Sequence, residues 1–204
     1  MKNPISRMAA AGLAAAWLAA APAAPAADAG SCGKVILKPS EVTLHEDWRR
    51  EAGASPSRGP RRVPPEDARR AVDAARADLD RALADAVRRA GCVVVREPGE
   101  GVAEITARAT SLYWNAGAGS EPAIARSWSD RGAEAALAAE MRDSRRGTLL
   151  ASVQERRETP RSPEPRFETP GAAAAAVSRL FESWAGDAVR ELVAARDAPC
   201  APPR

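Results

Sequence analysis

The apolar residues of this chain change their period once, at Gly91, and that change restricts the fold class more than any other feature. Between Glu66 and Ala90 they recur at every third or fourth position, through Ala68, Val72, Ala75, Leu79, Leu83, Ala86 and Ala90. That spacing draws one stripe along an α-helix, with Pro64 and Pro65 where a helix starts and Gly91 where it stops. The opposite face sets Asp73 with Arg76, Asp78 with Arg81, and Asp85 with Arg88 and Arg89, opposite charges at helical spacing that read as a solvated surface.

After Gly91 the period is two. Cys92 to Arg96 predicts a strand stopped by Pro98-Gly99, and from Val102 the apolar Ala103, Ile105, Ala107 and Ala109 alternate with Glu104, Thr106, Arg108 and Thr110. Such alternation is a half-buried strand with one wet face. Two further alternating segments follow, Ala133 to Met141 and Leu149 to Val153, joined across Asp143-Ser144-Arg145-Arg146-Gly147 as a hairpin. Propensity alone favours a helix for GAEAALAAEM, but the strict alternation, and the partner that Leu149 to Val153 needs, decide for a strand.

The remaining segments complete the outline. Lys34 to Pro39 is a short apolar strand that Glu41 to Leu44 continues, residues 52–63 and 159–169 are Gly- and Pro-rich flexible connections, and Asn115 to Ser129 is loop-like. Thr169 is placed to cap a last helix with Pro170 in its first turn, and Val177, Leu180, Phe181, Trp184, Ala188 and Leu192 form its apolar face. Phe181 and Trp184 read as core anchors. The fold class is α+β: a two-layer sandwich with a mixed or mostly antiparallel sheet of about 4–5 strands covered by two helices. It forms one domain over residues 34–196, with 197–204 as a tail; 204 residues, 45% hydrophobic and 28% charged, suffice for one core.

The N-terminus carries a separate message. Lys2 and Arg7 precede an apolar run from Met8 to Ala21, which Pro22 closes, and Pro22 to Ala27 supplies small residues. This is the three-part order of a cleavable signal peptide over residues 1–27, with cleavage expected after Ala26, the positions after Ala23 and Ala27 also fitting, and 28–33 as a short mature segment. The run falls short of the roughly 20 residues that span a hydrocarbon core, so no transmembrane span is expected. Cys32 sits where a lipid-attachment cysteine would, but Ala29-Gly30-Ser31 lacks the large aliphatic residue such signals use and Asp28 intervenes, so a lipid anchor is not expected.

An exported chain with three cysteines allows one disulfide and one free thiol. Cys32 and Cys200 flank the folded region, and a clasp between them is the expected pairing, with Cys92 a small buried hydrophobe. The rival is Cys32 with Cys92: each immediately precedes a strand, and parallel neighbours would bring them to the same sheet end.

The stretches KVILKPSEVTLHEDW, RRAGCVVVREPGEGVAEITARAT, AEAALAAEMRDSRRGTLLASVQERRE and ETPGAAAAAVSRLFESWAGDAVREL together resemble the bacterial envelope family catalogued as domain of unknown function 3313, over roughly Lys34 to Ala195. The most specific piece is the strand, Asp-x-x-x-Gly, strand unit from Ala133 to Val153, followed by a helix with a Phe and a Trp three apart. The resemblance implies an exported lipoprotein with a small α/β sandwich and no activity. This chain departs from it at the lipid-attachment cysteine, and between Asn115 and Gly132 it lacks an apolar Gly/Val-rich insert.

Catalytic motifs are absent from the sequence. The single histidine, His45, follows the first strands; there is no Cys-x-x-Cys, His-x-x-x-His, Gly-x-Ser-x-Gly or phosphate-loop pattern, and no metal or cofactor site is expected. Thirty basic residues against 27 acidic ones leave a net charge of +3, and the helix pairs its arginines with aspartates, which argues against a nucleic-acid partner. The expected function is a non-catalytic binding or assembly module of the cell envelope, soluble in the periplasm. It would meet an envelope protein or polymer through a sheet edge or the loop around Trp114 and Trp128. The alternative is a hydrolase of an envelope polymer, needing carboxylates such as Glu46 with Asp47, or Glu97 with Glu100, to converge with His45 or Tyr113.

Overall fold

One twelve-residue strand, the longest among the described residues, organises the domain around itself. The computed structural model describes residues 33–46, 48, 54–55, 59–60, 63–114, 127–129, 132–159, 166–168 and 170–197. In chain order the elements are β1 (Lys34–Leu37), β2 (Glu41–Leu44), β3 (Ala54–Ser55), β4 (Gly59–Pro60), α1 (Pro65–Arg89), β5 (Val93–Val94), β6 (Val102–Tyr113), β7 (Ser127–Ser129), β8 (Glu134–Asp143), β9 (Leu149–Glu158), β10 (Arg166–Glu168) and α2 (Pro170–Asp197). The main sheet runs β5-β1-β6-β8-β9, with β2 also paired to β6. β5, β1 and β6 are parallel, and β6, β8 and β9 form an antiparallel meander, so the sheet is mixed and the fold is α+β.

β1 and β2 lie end to end along the same edge of β6, against its first and second halves. Pro39, with no N–H to donate, stands between them. The Lys38 N–H still reaches the Ile105 carbonyl (3.0 Å), but the Ser40 N–H turns away to the Asp80 carboxylate on α1 (2.8 Å). The interruption thereby ties the sheet to the helix.

Alternation places one face of each strand in the core. Ala103, Ile105, Ala107 and Ala109 of β6, Ala135, Leu137, Ala139 and Met141 of β8, and Ala151 and Val153 of β9 are all buried. Against them pack Leu79, Leu83, Ala86 and Val87 of α1 and Val177, Leu180, Phe181, Trp184, Val189 and Leu192 of α2. GAEAALAAEM is thus a strand: cross-strand pairing on both sides and burial of one face outweigh alanine's helix propensity. The two helices are fastened to each other by Ser178 Oγ donating to Asp78 Oδ2 (2.7 Å). α2 is fastened to the sheet by Arg157, which donates to Asp187 Oδ2 (2.6 Å) and Ser183 Oγ (3.0 Å) while its Nε pairs with Glu155 (2.8 Å). Burial works against the charge of Arg157, but the hydrogen bonds to Asp187 and Glu155 overcome it and hold the guanidinium above its ordinary pKa. The same hydrogen bond from Arg157 holds the Asp187 carboxyl below the ordinary carboxylate range.

The ends of α1 follow the sequence. Pro65 takes the first turn with Glu66 and Asp67, and Gly91, at φ +76°, turns the chain so that Gly91 and Cys92 donate to the Arg88 and Val87 carbonyls. The exposed pairs Asp73–Arg76, Asp78–Arg81 and Asp85–Arg88 all form. At the β8–β9 hairpin, Asp143 accepts from the N–H groups of Arg146 and Arg145, which lowers its pKa.

Three expectations change. The strand expected over Cys92 to Arg96 is only Val93–Val94, at the sheet edge, with Val93 57% and Val94 45% exposed; an apolar run reads as buried, but among the described residues β5 has a neighbour on one side alone. The loop-like 115–129 ends in β7, which pairs with β10 from the second connection. The first connection holds the β3–β4 pair. At the other edge β9 offers its outer side to no strand among the described residues, with Leu149 and Leu150 47% and 39% exposed and Glu155 to Glu158 charged.

Candidate binding surface

Both helices lie on one face of the sheet, and the opposite face is set by the even-numbered residues of β6 from Glu104 to Thr110 and of β8 and β9. It is a charge mosaic. Lys38 Nζ meets Glu104 at 3.3 Å, Arg108 lies 3.8 Å from both Glu41 and Glu140, Arg142 binds Glu140 at 2.7 Å, and Arg156 meets Glu134 at 3.3 Å. Thr106, Ala136, Ala138, Ser152 and Gln154 fill the gaps between these pairs with small or neutral groups. Each pair is solvent-screened and contributes about 0.2–1 kcal/mol, so the ladder sets register and solubility more than stability.

A β-bulge ends this face. Ser111 adopts φ 53°, unusual for a residue with a side chain and costing about 1–2 kcal/mol. Both ladders of β6 shift there, between Val42 and Leu44 on one side and between Thr110 and Tyr113 on the other. Leu112, Tyr113 and Trp114 are then buried in succession, which an uninterrupted strand does not allow. Trp48 Nε1 donates to the Trp114 carbonyl (3.0 Å), and the two indoles pack at 4.7 Å between centroids, tilted by 42°. The His45 N–H donates to the Leu112 carbonyl (2.9 Å), and its ring meets Tyr113 edge to face at 6.1 Å.

The bulge therefore gathers the only histidine and the only tyrosine of the chain beside two tryptophans. Trp114, expected as part of an exposed recognition loop, is 8% exposed and belongs to the core. The side chain of Trp128 lies outside the described residues. Of the carboxylates considered for hydrolysis, Glu46 is exposed next to His45, Asp47 lies outside the described residues, and Glu97 and Glu100 sit at the opposite end of β6. At roughly 3.3 Å per residue along this strand, that is about 36 Å from Tyr113. Trp48 was not legible as part of this cluster, although His45-x-x-Trp48 and Tyr113-Trp114, each directly after a strand, were the signals for it.

Among the described residues no cluster of His, Cys, Asp and Glu has a metal-binding arrangement, and no helix is long and apolar enough to cross a membrane. Cys92 is buried and disulfide-bonded, in contrast to the expected Cys32–Cys200 clasp, in which it would be the leftover thiol. Cys32, Cys200 and the cleavage position after Ala26 lie outside the described residues.

No protein-family model matches the chain, that of domain of unknown function 3313 included, and no curated protein matches it. Among solved structures it is similar to a Xanthomonas campestris protein of the family-model DUF330, at 12% identity over 82% of this chain and 89% of that one, with a TM-score of 0.44. It is also similar to a Helicobacter pylori homolog of neuraminyllactose-binding hemagglutinin (11% identity, 80% and 87% covered, TM-score 0.38). A third is a minor lipoprotein from Acinetobacter baumannii (10% identity, 80% and 94% covered, TM-score 0.33). At these values none of the three assigns a role to this chain.

Proposed function

We propose that the protein is a non-catalytic binding or assembly module of the bacterial cell envelope, related to the family of domain of unknown function 3313. It is exported by cleavage after Ala26 and works as a soluble periplasmic domain. The observation that carries the binding role is the one-sided covering of the sheet: both helices pack on one face, and among the described residues the other face carries paired charges and small side chains. The N-terminal charge, apolar run and small-residue order support export. The partner is an envelope protein or polymer that meets this face with its own polar groups.

A photo-crosslinking residue at Gln154, exposed on the open face, is compared in the native envelope with one at Glu182, exposed on α2. The reading expects a discrete adduct from Gln154 and none from Glu182. Equal adducts at both positions, or none at Gln154, would overturn it.

A further inference from the structure

We infer that Cys92 is bonded to Cys32, and that this disulfide occupies the one sulfur an N-terminal lipid anchor would require. Cys92 is a half-cystine in a chain with only two other cysteines, so its partner is Cys32 or Cys200. The register of β1 and β5 separates the two candidates. These strands are parallel, Lys34 opposite Val93 and Val35 opposite Val94, and the Val93 N–H donates to the Gly33 carbonyl at 2.9 Å. Cys92 immediately precedes the donor residue of that hydrogen bond and Cys32 immediately precedes the acceptor residue.

Covalent geometry keeps the Cα of Cys32 about 3.8 Å from that of Gly33. One step before the Lys34–Val93 pair, Gly33 faces Cys92, and at φ +76° it turns the chain out of the strand direction; with strands about 4.8 Å apart and one Cα step of about 3.8 Å, the roughly 4.4–6.8 Å Cα separation that a disulfide bridges is within reach of Cys32. Cys200 follows the last residue of α2 by three positions. Its helix does end nearby, since a Cβ on Gly33 would stand 3.3 Å from Arg196 Nη1. Among the described residues, however, no strand register ties the end of α2 to β5 as β1 is tied to it. The bond also answers a structural need: β5 is two exposed residues that, among the described residues, pair with β1 alone.

The inference rests on the export reading, because the bond forms in an oxidising compartment. The Cys32 and Cys92 thiols lose two protons and two electrons to a protein disulfide donor, which is reduced to its dithiol. A sulfur committed to this bond is not available for a thioether to diacylglycerol, so the same covalent choice that pins β5 leaves the domain without a lipid.

The test takes the full chain purified from its native envelope, with free thiols alkylated before any reduction, followed by trypsin and mass spectrometry. Cys92 falls in the peptide of residues 90–96, Cys200 in that of 197–204, and Cys32 in one ending at Lys34. The expected result is the 90–96 peptide linked to the one ending at Lys34, with Cys200 alkylated, and the same link retained in Cys200→Ser. A 90–96 peptide linked to 197–204, loss of the link in Cys200→Ser, or acyl chains on Cys32 would overturn the pairing while leaving export intact. An uncleaved N-terminus with three alkylated cysteines would sink the export reading, and this inference with it.

Discussion

Trp184 lies wholly inside the contact between α2 and the sheet, and its indole N–H has no hydrogen-bond partner. Replacing it with phenylalanine removes the donor together with two ring carbons. Burial of those carbons contributes about 1.6 kcal/mol, at about 0.8 kcal/mol per buried carbon group. An unsatisfied buried donor costs about 1–3 kcal/mol, and the substitution relieves that cost. The two effects nearly cancel, so Trp184→Phe is expected to stay within about 1 kcal/mol of the parent, whereas Trp184→Ala loses about 3–5 kcal/mol. Urea unfolding followed by far-UV circular dichroism measures both, with the slope checked for constancy so that the midpoint reports stability alone. A loss of 3 kcal/mol or more in Trp184→Phe would refute the reasoning, because it would mean that the indole N–H is paired in solution.

Other positions give sharper contrasts of direction. A Cβ on Gly132 would stand 2.9 Å from the Thr159 carbonyl oxygen, held in place by the Thr159 N–H to Ala133 bond, so Gly132→Ala should cost about 1–3 kcal/mol by overpacking. Gly147, at φ +68° with open space around it, should lose only about 1 kcal/mol as alanine; a larger loss there than at Gly132, in thermal or urea unfolding, would contradict the assignment. The pKa of Asp187 is lower folded than unfolded, so its contribution is present above about pH 3.9 and is lost as the pH falls through the folded value. Because the pair is partly exposed, Asp187→Asn should cost about 1 kcal/mol or less at pH 7 and flatten the acid limb of the stability curve; an unchanged limb would show that the Arg157 contact does not persist in solution.

The sequence made the strands most legible where each face of the sheet meets one environment throughout. β6 from Ala103 to Ala109 and β8 from Ala135 to Met141 alternate cleanly because their odd side chains enter the same core, and both helices show their stripes for the same reason. What escaped depended on pairings that no single segment encodes. Cys92-Val93-Val94-Val95 has the composition of a buried strand, and only its place at the edge exposes it. The bulge at Ser111 was invisible because serine does not announce a left-handed conformation as glycine does, and without the bulge Trp114 reads as the start of an exposed loop. The open face was legible as the wet side of β6, but its extent over β8 and β9 required knowing that both helices choose the other side.

The outer edge of β9, which pairs with no strand among the described residues, also bears on how this protein avoids growing into itself. Leu149-Leu150-Ala151-Ser152-Val153 is a charge-free extended window on an edge that no strand among the described residues covers, the composition from which stacked sheets are templated. Glu155-Arg156-Arg157-Glu158 follows on the same strand and acts as its gatekeeper, since an incoming strand that extends past Val153 must desolvate four charges. Arg157 also ties the strand to α2, so one short charged run both docks the edge strand on its helix and keeps the edge from recruiting another copy.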